Sequence, residues 1–126
     1  MIGYSVEIKE TSCELTAKQR IALKDTSDAI KLDTACDENA VIINPVAYAV
    51  LAIHNEKSDN IDYENYVIID KNGDKYVTGS TSFWSSFISI YDEMLDADAD
   101  EAWSIKAYKL DSKNYKGKKF LTCSII

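Results

Sequence analysis

The stretch from Val41 to His54 is the most apolar in the chain and is rich in β-branched residues, yet Asn44-Pro45 interrupts it. Proline has no N–H to give to a strand ladder. The stretch therefore reads as an edge or a break at 44–45, followed by a strand over 46–54. Every other element has to be arranged around that interruption.

Upstream, Gly3 to Lys9 alternates apolar and polar residues as a strand does. Thr16-Ala17-Lys18-Gln19 has the spacing of a capping box, with Leu15 ahead of it as a staple residue. A short helix over 17–24 is expected, ended by Asp25-Thr26-Ser27-Asp28, and then a short extended piece over 29–32. Downstream, 55–62 is a polar loop. Asn72-Gly73 lies between the β-prone runs 63–69 and 75–79, a strong hairpin signal.

From Ser80 the period changes. Phe83/Trp84, Phe87/Ile88, Tyr91 and Met94/Leu95 recur at steps of three and four, which predicts an amphipathic helix over 80–95 capped by Ser80 or Thr81. Residues 96–101 form an acidic loop, and 103–110 and 119–126 are the last strands. Residues 46–126 thus read β-β-β-α-β-β. That is the order of an OB-fold, a five-stranded, partly open Greek-key barrel, in a mainly β chain. Residues 1–126 then form a single domain, with 41–126 the barrel and 1–40 a decoration covering one barrel end or edge. A small α+β sandwich is the structural alternative.

The chain's 126 residues suit one domain, and 46% hydrophobic with 28% charged residues is a globular composition. No apolar run reaches the roughly 18 residues of a membrane span, and Met1 to Glu10 lacks the apolar core of a signal peptide. Cys13, Cys36 and Cys123 are odd in number and widely spaced, unlike a disulfide framework or the close pairs of a zinc site. Free thiols in a reducing cytoplasm are expected. A zinc site from Cys13, Cys36, His54 and Cys123 is the minor reading, and neither metal nor cofactor is expected.

Catalysis has little support. His54 is the one histidine, and no nucleophile elbow, zincin or P-loop pattern is present. Asp96, Asp98 and Asp100 alternate with alanine but lack the glycine and distal glutamate of a calcium loop. The expectation is a protein that is not an enzyme.

A formal charge of −7 argues at first against a nucleic-acid partner. Its distribution argues otherwise. Residues 1–101 carry 8 basic and 20 acidic side chains, a net of −12, whereas Lys106, Lys109, Lys113, Lys116, Lys118 and Lys119 stand against Asp111 alone in 102–126, a net of +5. Single-stranded nucleic acid needs a cationic path for phosphates and aromatic faces for bases. Period two places Ser104, Lys106 and Tyr108 on one face of strand 103–110, opposite Trp103, Ile105 and Ala107. On the last strand it sets Phe120 among polar residues with Lys118, Thr122 and Ser124. The loop Lys113-Asn114-Tyr115-Lys116-Gly117-Lys118-Lys119 adds charge and one ring. Tyr66 and Tyr76 on the hairpin, each able to face either side, complete the candidate set: Tyr66, Tyr76, Lys106, Tyr108, Lys109, Lys113, Tyr115, Lys116, Lys118, Lys119 and Phe120.

Four motifs in order carry a resemblance over about 41–126: Ala-Val-Leu-Ala-Ile-His-Asn-Glu-Lys-Ser-Asp, then Tyr-Val-Ile-Ile-Asp-Lys-Asn-Gly-Asp-Lys-Tyr-Val-Thr-Gly-Ser, Ser-Phe-Trp-Ser-Ser-Phe, and Ser-Lys-Asn-Tyr-Lys-Gly-Lys-Lys-Phe-Leu-Thr-Cys-Ser-Ile. Together the chain resembles the small single-stranded DNA-binding proteins of tailed phages and mobile elements of Gram-positive bacteria. The resemblance implies OB-like, sequence-nonspecific binding of single-stranded DNA during replication, in the bacterial host cytoplasm. It implies strand tyrosines as stacking residues, Tyr76 first among them. Cellular homologues recruit replication proteins through an acidic tail; here the acidic stretch 92–101 is the expected substitute. The competing expectation, from the −12 of residues 1–101, is an acidic DNA mimic that blocks a host DNA-binding protein.

Overall fold

The structure is a computed structural model that describes residues 3–12, 14–37, 39–57, 59, 61–96, 103–111 and 119–126. Its elements are β1 (Tyr4–Thr11), α1 (Ala17–Lys24), β2 (Ile30–Lys31), α2 (Leu32–Ala35), β3 (Val41–Ile43), β4 (Pro45–Asn55), β5 (Asp62–Asp70), β6 (Lys75–Thr78), α3 (Thr81–Asp96), β7 (Ile105–Asp111) and β8 (Lys119–Ile125). The fold is mainly β. One sheet has the order β1-β4-β5-β6-β2 and the other β3-β7-β8.

The expected order β-β-β-α-β-β is present as β4-β5-β6-α3-β7-β8, but neither sheet closes into a barrel among the described residues. The reason starts at Asn44-Pro45. Val41–Ile43 pairs antiparallel with β7, through Ile42 opposite Lys106, while β4 pairs with β1. The apolar stretch is thus divided between two sheets. The chain forms two compact units, Met1–Ile30 with Val46–Gly79 and Lys31–Pro45 with Ser80–Ile126. This division does not follow the expected border at residues 40 and 41. The N-terminal strand forms an edge of the first sheet, where β1 pairs with β4 from Tyr4 opposite Asn55 to Thr11 opposite Ala49, with a register shift between Ile8 and Glu10.

In the first unit, Leu23 of α1 is buried with Ala49, Leu51, Ile53, Val67 and Val77, and Val6, Ile8, Leu15 and Ile69 pack against that cluster. The capping box forms as expected. The Gln19 N–H donates to Thr16 Oγ1 at 3.2 Å, and the Thr16 N–H donates to Gln19 Oε1 at 2.9 Å. The other end of α1 is tied by Lys75. Its ammonium donates to the carbonyls of Ala22 at 2.9 Å and Asp25 at 2.8 Å, and lies 2.9 Å from an Asp28 carboxylate oxygen. A cation there satisfies orphan carbonyls and meets the negative end of the helix dipole.

The hairpin turns through Asp70 to Asp74. The Gly73 N–H donates to the Asp70 carbonyl at 2.8 Å, the Asp70 N–H donates to the Asp74 carbonyl at 2.9 Å, and Gly73 has φ of 89°. This is a three-residue connection with glycine in the left-handed position. The buried Asp70 carboxylate accepts from the Asn72 N–H at 2.8 Å.

In the second unit, Phe83 and Phe87 of α3 are fully buried, as are Leu32, Ile43, Ile105 and Ala107. Ser80 caps α3 by accepting from the Phe83 N–H at 3.2 Å. The helix lies against β8, where the Ser82 hydroxyl donates to the Leu121 carbonyl at 2.8 Å and Ser86 and Thr122 hydroxyls meet at 3.3 Å. Rings link Trp84 to Phe87, Phe87 to Tyr91 and Tyr91 to Trp103, with centroids 5.0, 5.7 and 5.9 Å apart. The short helix α2, which no period in the sequence announces, follows β2 directly.

Replacing Lys75 with methionine keeps the stem and removes three charge-assisted contacts. Urea unfolding is expected to show a loss of about 2 kcal/mol, whereas Lys71→Met, at an exposed turn position, should leave the midpoint unchanged.

Candidate functional site

Strands β7 and β8 pair antiparallel with Lys106 opposite Ser124, Tyr108 opposite Thr122, and Leu110 opposite Phe120. Alternation puts these six side chains on one face, and Ile105, Ala107, Leu121 and Cys123 on the other. The second set is buried, so the face bearing Lys106, Tyr108 and Phe120 points outward. Ile42 of β3 joins it beside Lys106. Ile42, Leu110 and Phe120 are exposed at 51%, 44% and 38%.

Polar groups fix this face. The Tyr108 and Ser124 hydroxyls are 2.7 Å apart, and the Lys106 ammonium stands over the Tyr108 ring, 5.6 Å from its centroid. The Ser104 hydroxyl donates to the Asn44 side-chain oxygen. That contact carries the polar face to the residue where the chain leaves β3. The arrangement offers a cation, two rings and hydroxyls on a rigid sheet, which suits a flat, anionic, aromatic ligand.

The sequence candidates divide into four groups. Lys106, Tyr108 and Phe120 come together on the face just described. Lys109 and Lys119 fall on the opposite side of the sheet by alternation. Lys109 is paired with Asp37, which raises its pKa through a side-chain hydrogen bond, so its charge is already engaged. Lys113, Tyr115, Lys116 and Lys118 lie outside the described residues.

Tyr66 and Tyr76 lie on β5 and β6 of the other sheet and are not brought to that face. They are only 7% and 8% exposed, sharing with Ile68 and Thr78 the sheet face opposite Val67 and Val77, and burial pushes both phenols up. Rings enclosed in this way offer no open face to a base. Sequence reasoning missed Ile42 and Leu110, whose exposure depends on a register that the sequence does not state. Of the acidic stretch 92–101, residues 92–96 end α3 and the rest lie outside the described residues.

No group of three or more His, Cys, Asp or Glu side chains able to hold a metal occurs among the described residues. Cys36 and Cys123 are buried free thiols. The Cys36 thiol donates to the Ala107 carbonyl, and desolvation pushes Cys123 up to about 12, far from a reactive thiolate. Cys13 lies outside the described residues. No described helix is long and apolar enough to cross a membrane. Comparison with protein-family profiles, with curated proteins and with solved structures gave no match.

His54, next to last in β4, sits between two carboxylates. Its Nδ1 is 2.7 Å from Asp62 and its Nε2 3.6 Å from Glu56. The hydrogen bond to Asp62, followed by that to Glu56, raises its pKa above 6.5. Because the folded value exceeds the unfolded one, the contribution to stability is fully present below about pH 6.5 and is lost as pH rises through the raised value. The site is solvent-exposed, so the effect is small and salt-sensitive. NMR titration of the ring protons should give a midpoint above 6.5 that returns toward it in Asp62→Asn.

Proposed function

We propose that this protein binds single-stranded DNA without sequence preference, and that the outer face of the β3-β7-β8 sheet is the contact surface. The observation that carries the reading is the convergence of Lys106, Tyr108 and Phe120 on one open face of two paired strands. Bases stack on the rings, and Lys106 meets backbone phosphate. Lys113, Lys116 and Lys118, next in the sequence and outside the described residues, add positive charge close by along the chain. The order β-β-β-α-β-β, shared with OB-folds, supports the same reading. Replication of phage or mobile-element DNA is the process in which a coating protein of this kind acts, and the acidic stretch 92–101 is its contact for replication proteins.

The competing reading, an acidic DNA mimic, draws on the carboxylates of the first unit. Several of those are already engaged: Glu64 with Lys9 at 2.6 Å, Asp62 with His54, and Glu10 with the Tyr48 hydroxyl at 3.3 Å. Paired carboxylates make a poor copy of a phosphate array, so the binding reading is preferred.

Titration with poly-dT is expected to quench tyrosine fluorescence at micromolar protein. The affinity should fall steeply with salt, with a log–log slope of about −0.7 per phosphate neutralised. Lys106→Gln should make that slope shallower by about one such unit. Absence of quenching and of any mobility shift at low salt would sink the reading. Stoichiometric capture of a basic host protein instead would favour the mimic.

A further inference from the structure

Tyr108, Leu110, Phe120 and Thr122 form a four-cornered tile on the outer face of β7 and β8. Tyr108 stands directly opposite Thr122, and Leu110 directly opposite Phe120. The two rings therefore occupy one diagonal, and the other diagonal holds a leucine and a threonine. Diagonal neighbours across an antiparallel pair are about 7–8 Å apart. Bases stacked within a duplex strand rise only about 3.4 Å per step. The Tyr108 hydroxyl is turned to Ser124, on the far side of Thr122 from Phe120, so the Tyr108 ring leans away from Phe120 and two bases still stacked on each other do not lie one on each ring.

We infer that this tile takes two consecutive, mutually unstacked bases, one on Phe120 and one on Tyr108, and that this spacing excludes duplex DNA. The inference rests on the single-strand reading above and gives it a recognition unit. Phe120 is the open ring, 38% exposed and standing against Leu110. Tyr108 is held in place by its hydroxyl contact with Ser124 and carries the Lys106 ammonium over its face. That ammonium sits on a flexible stem. It gives way to the second base and turns to the phosphate beside it. Ser124, opposite Lys106, keeps the phenol oriented during the exchange.

The tile separates adjacent from distant bases, and the test uses that difference. Oligonucleotides of about a dozen sugars, otherwise abasic, carry one thymine, two adjacent thymines or two distant thymines, with an all-thymine strand as the reference. The adjacent pair is expected to bind roughly 5- to 150-fold tighter than the single thymine, the range of one added stack. The distant pair should gain no more than its statistical doubling. Phe120→Ala should reduce the adjacent pair to the single-thymine level, and Phe120→Tyr should restore it, which separates a lost ring from a lost fold. Equal binding of adjacent and distant pairs, with the all-thymine strand still bound, would overturn the two-base tile and leave the binding reading standing. Failure of the all-thymine strand to bind would remove both.

Discussion

A single missing hydrogen-bond donor organises this chain. Pro45 has no N–H, and the strand that reaches it from Val41 stops at Ile43 in one sheet. The strand that leaves it runs to Asn55 in another, beside β1. An apolar stretch of this length would otherwise make one long central strand, and β3 would have no reason to pair with β7. The outer face of the three-stranded sheet depends on that pairing. Ile42 and the Asn44–Ser104 contact belong to it only because the chain changes sheets there.

Much of the secondary structure was legible because local physics decides it. The Thr16–Gln19 spacing specified a capping box, and both of its bonds form. Asn72-Gly73 specified a hairpin, since only glycine takes φ of 89° there without strain. The change of period at Ser80 specified α3. What was not legible is non-local. Alternation assigns residues to faces, but it does not say which strands are neighbours, so two open sheets and a barrel look alike in the sequence. The pairing of β1 with β4 was hidden for the same reason.

The site follows the same division. Period two on β7 and β8 placed Lys106, Tyr108 and Phe120 correctly, because each strand has one plainly apolar face. It left the facing of Tyr66 and Tyr76 open, because their strands carry apolar residues on both sides and nothing local indicates that both rings are enclosed. Lys109 shows a further limit. Counting lysines treats every charge as available, whereas Asp37 engages this one from 72 residues away in sequence.

The sheet edges carry a consequence of their own. β1 changes register between Ile8 and Glu10 and bears Glu7, Lys9 and Glu10. β2 has two residues and β3 has three, while β8 lies under α3, whose Ser82 occupies a backbone carbonyl of Leu121. Each terminal strand is therefore bulged and charged, very short, or covered, and such strands are poor templates for ladder growth. Copies crowded together at high local concentration can meet through side chains, but among the described strands the one long uncovered edge, β1, is bent by its register shift and guarded by charge.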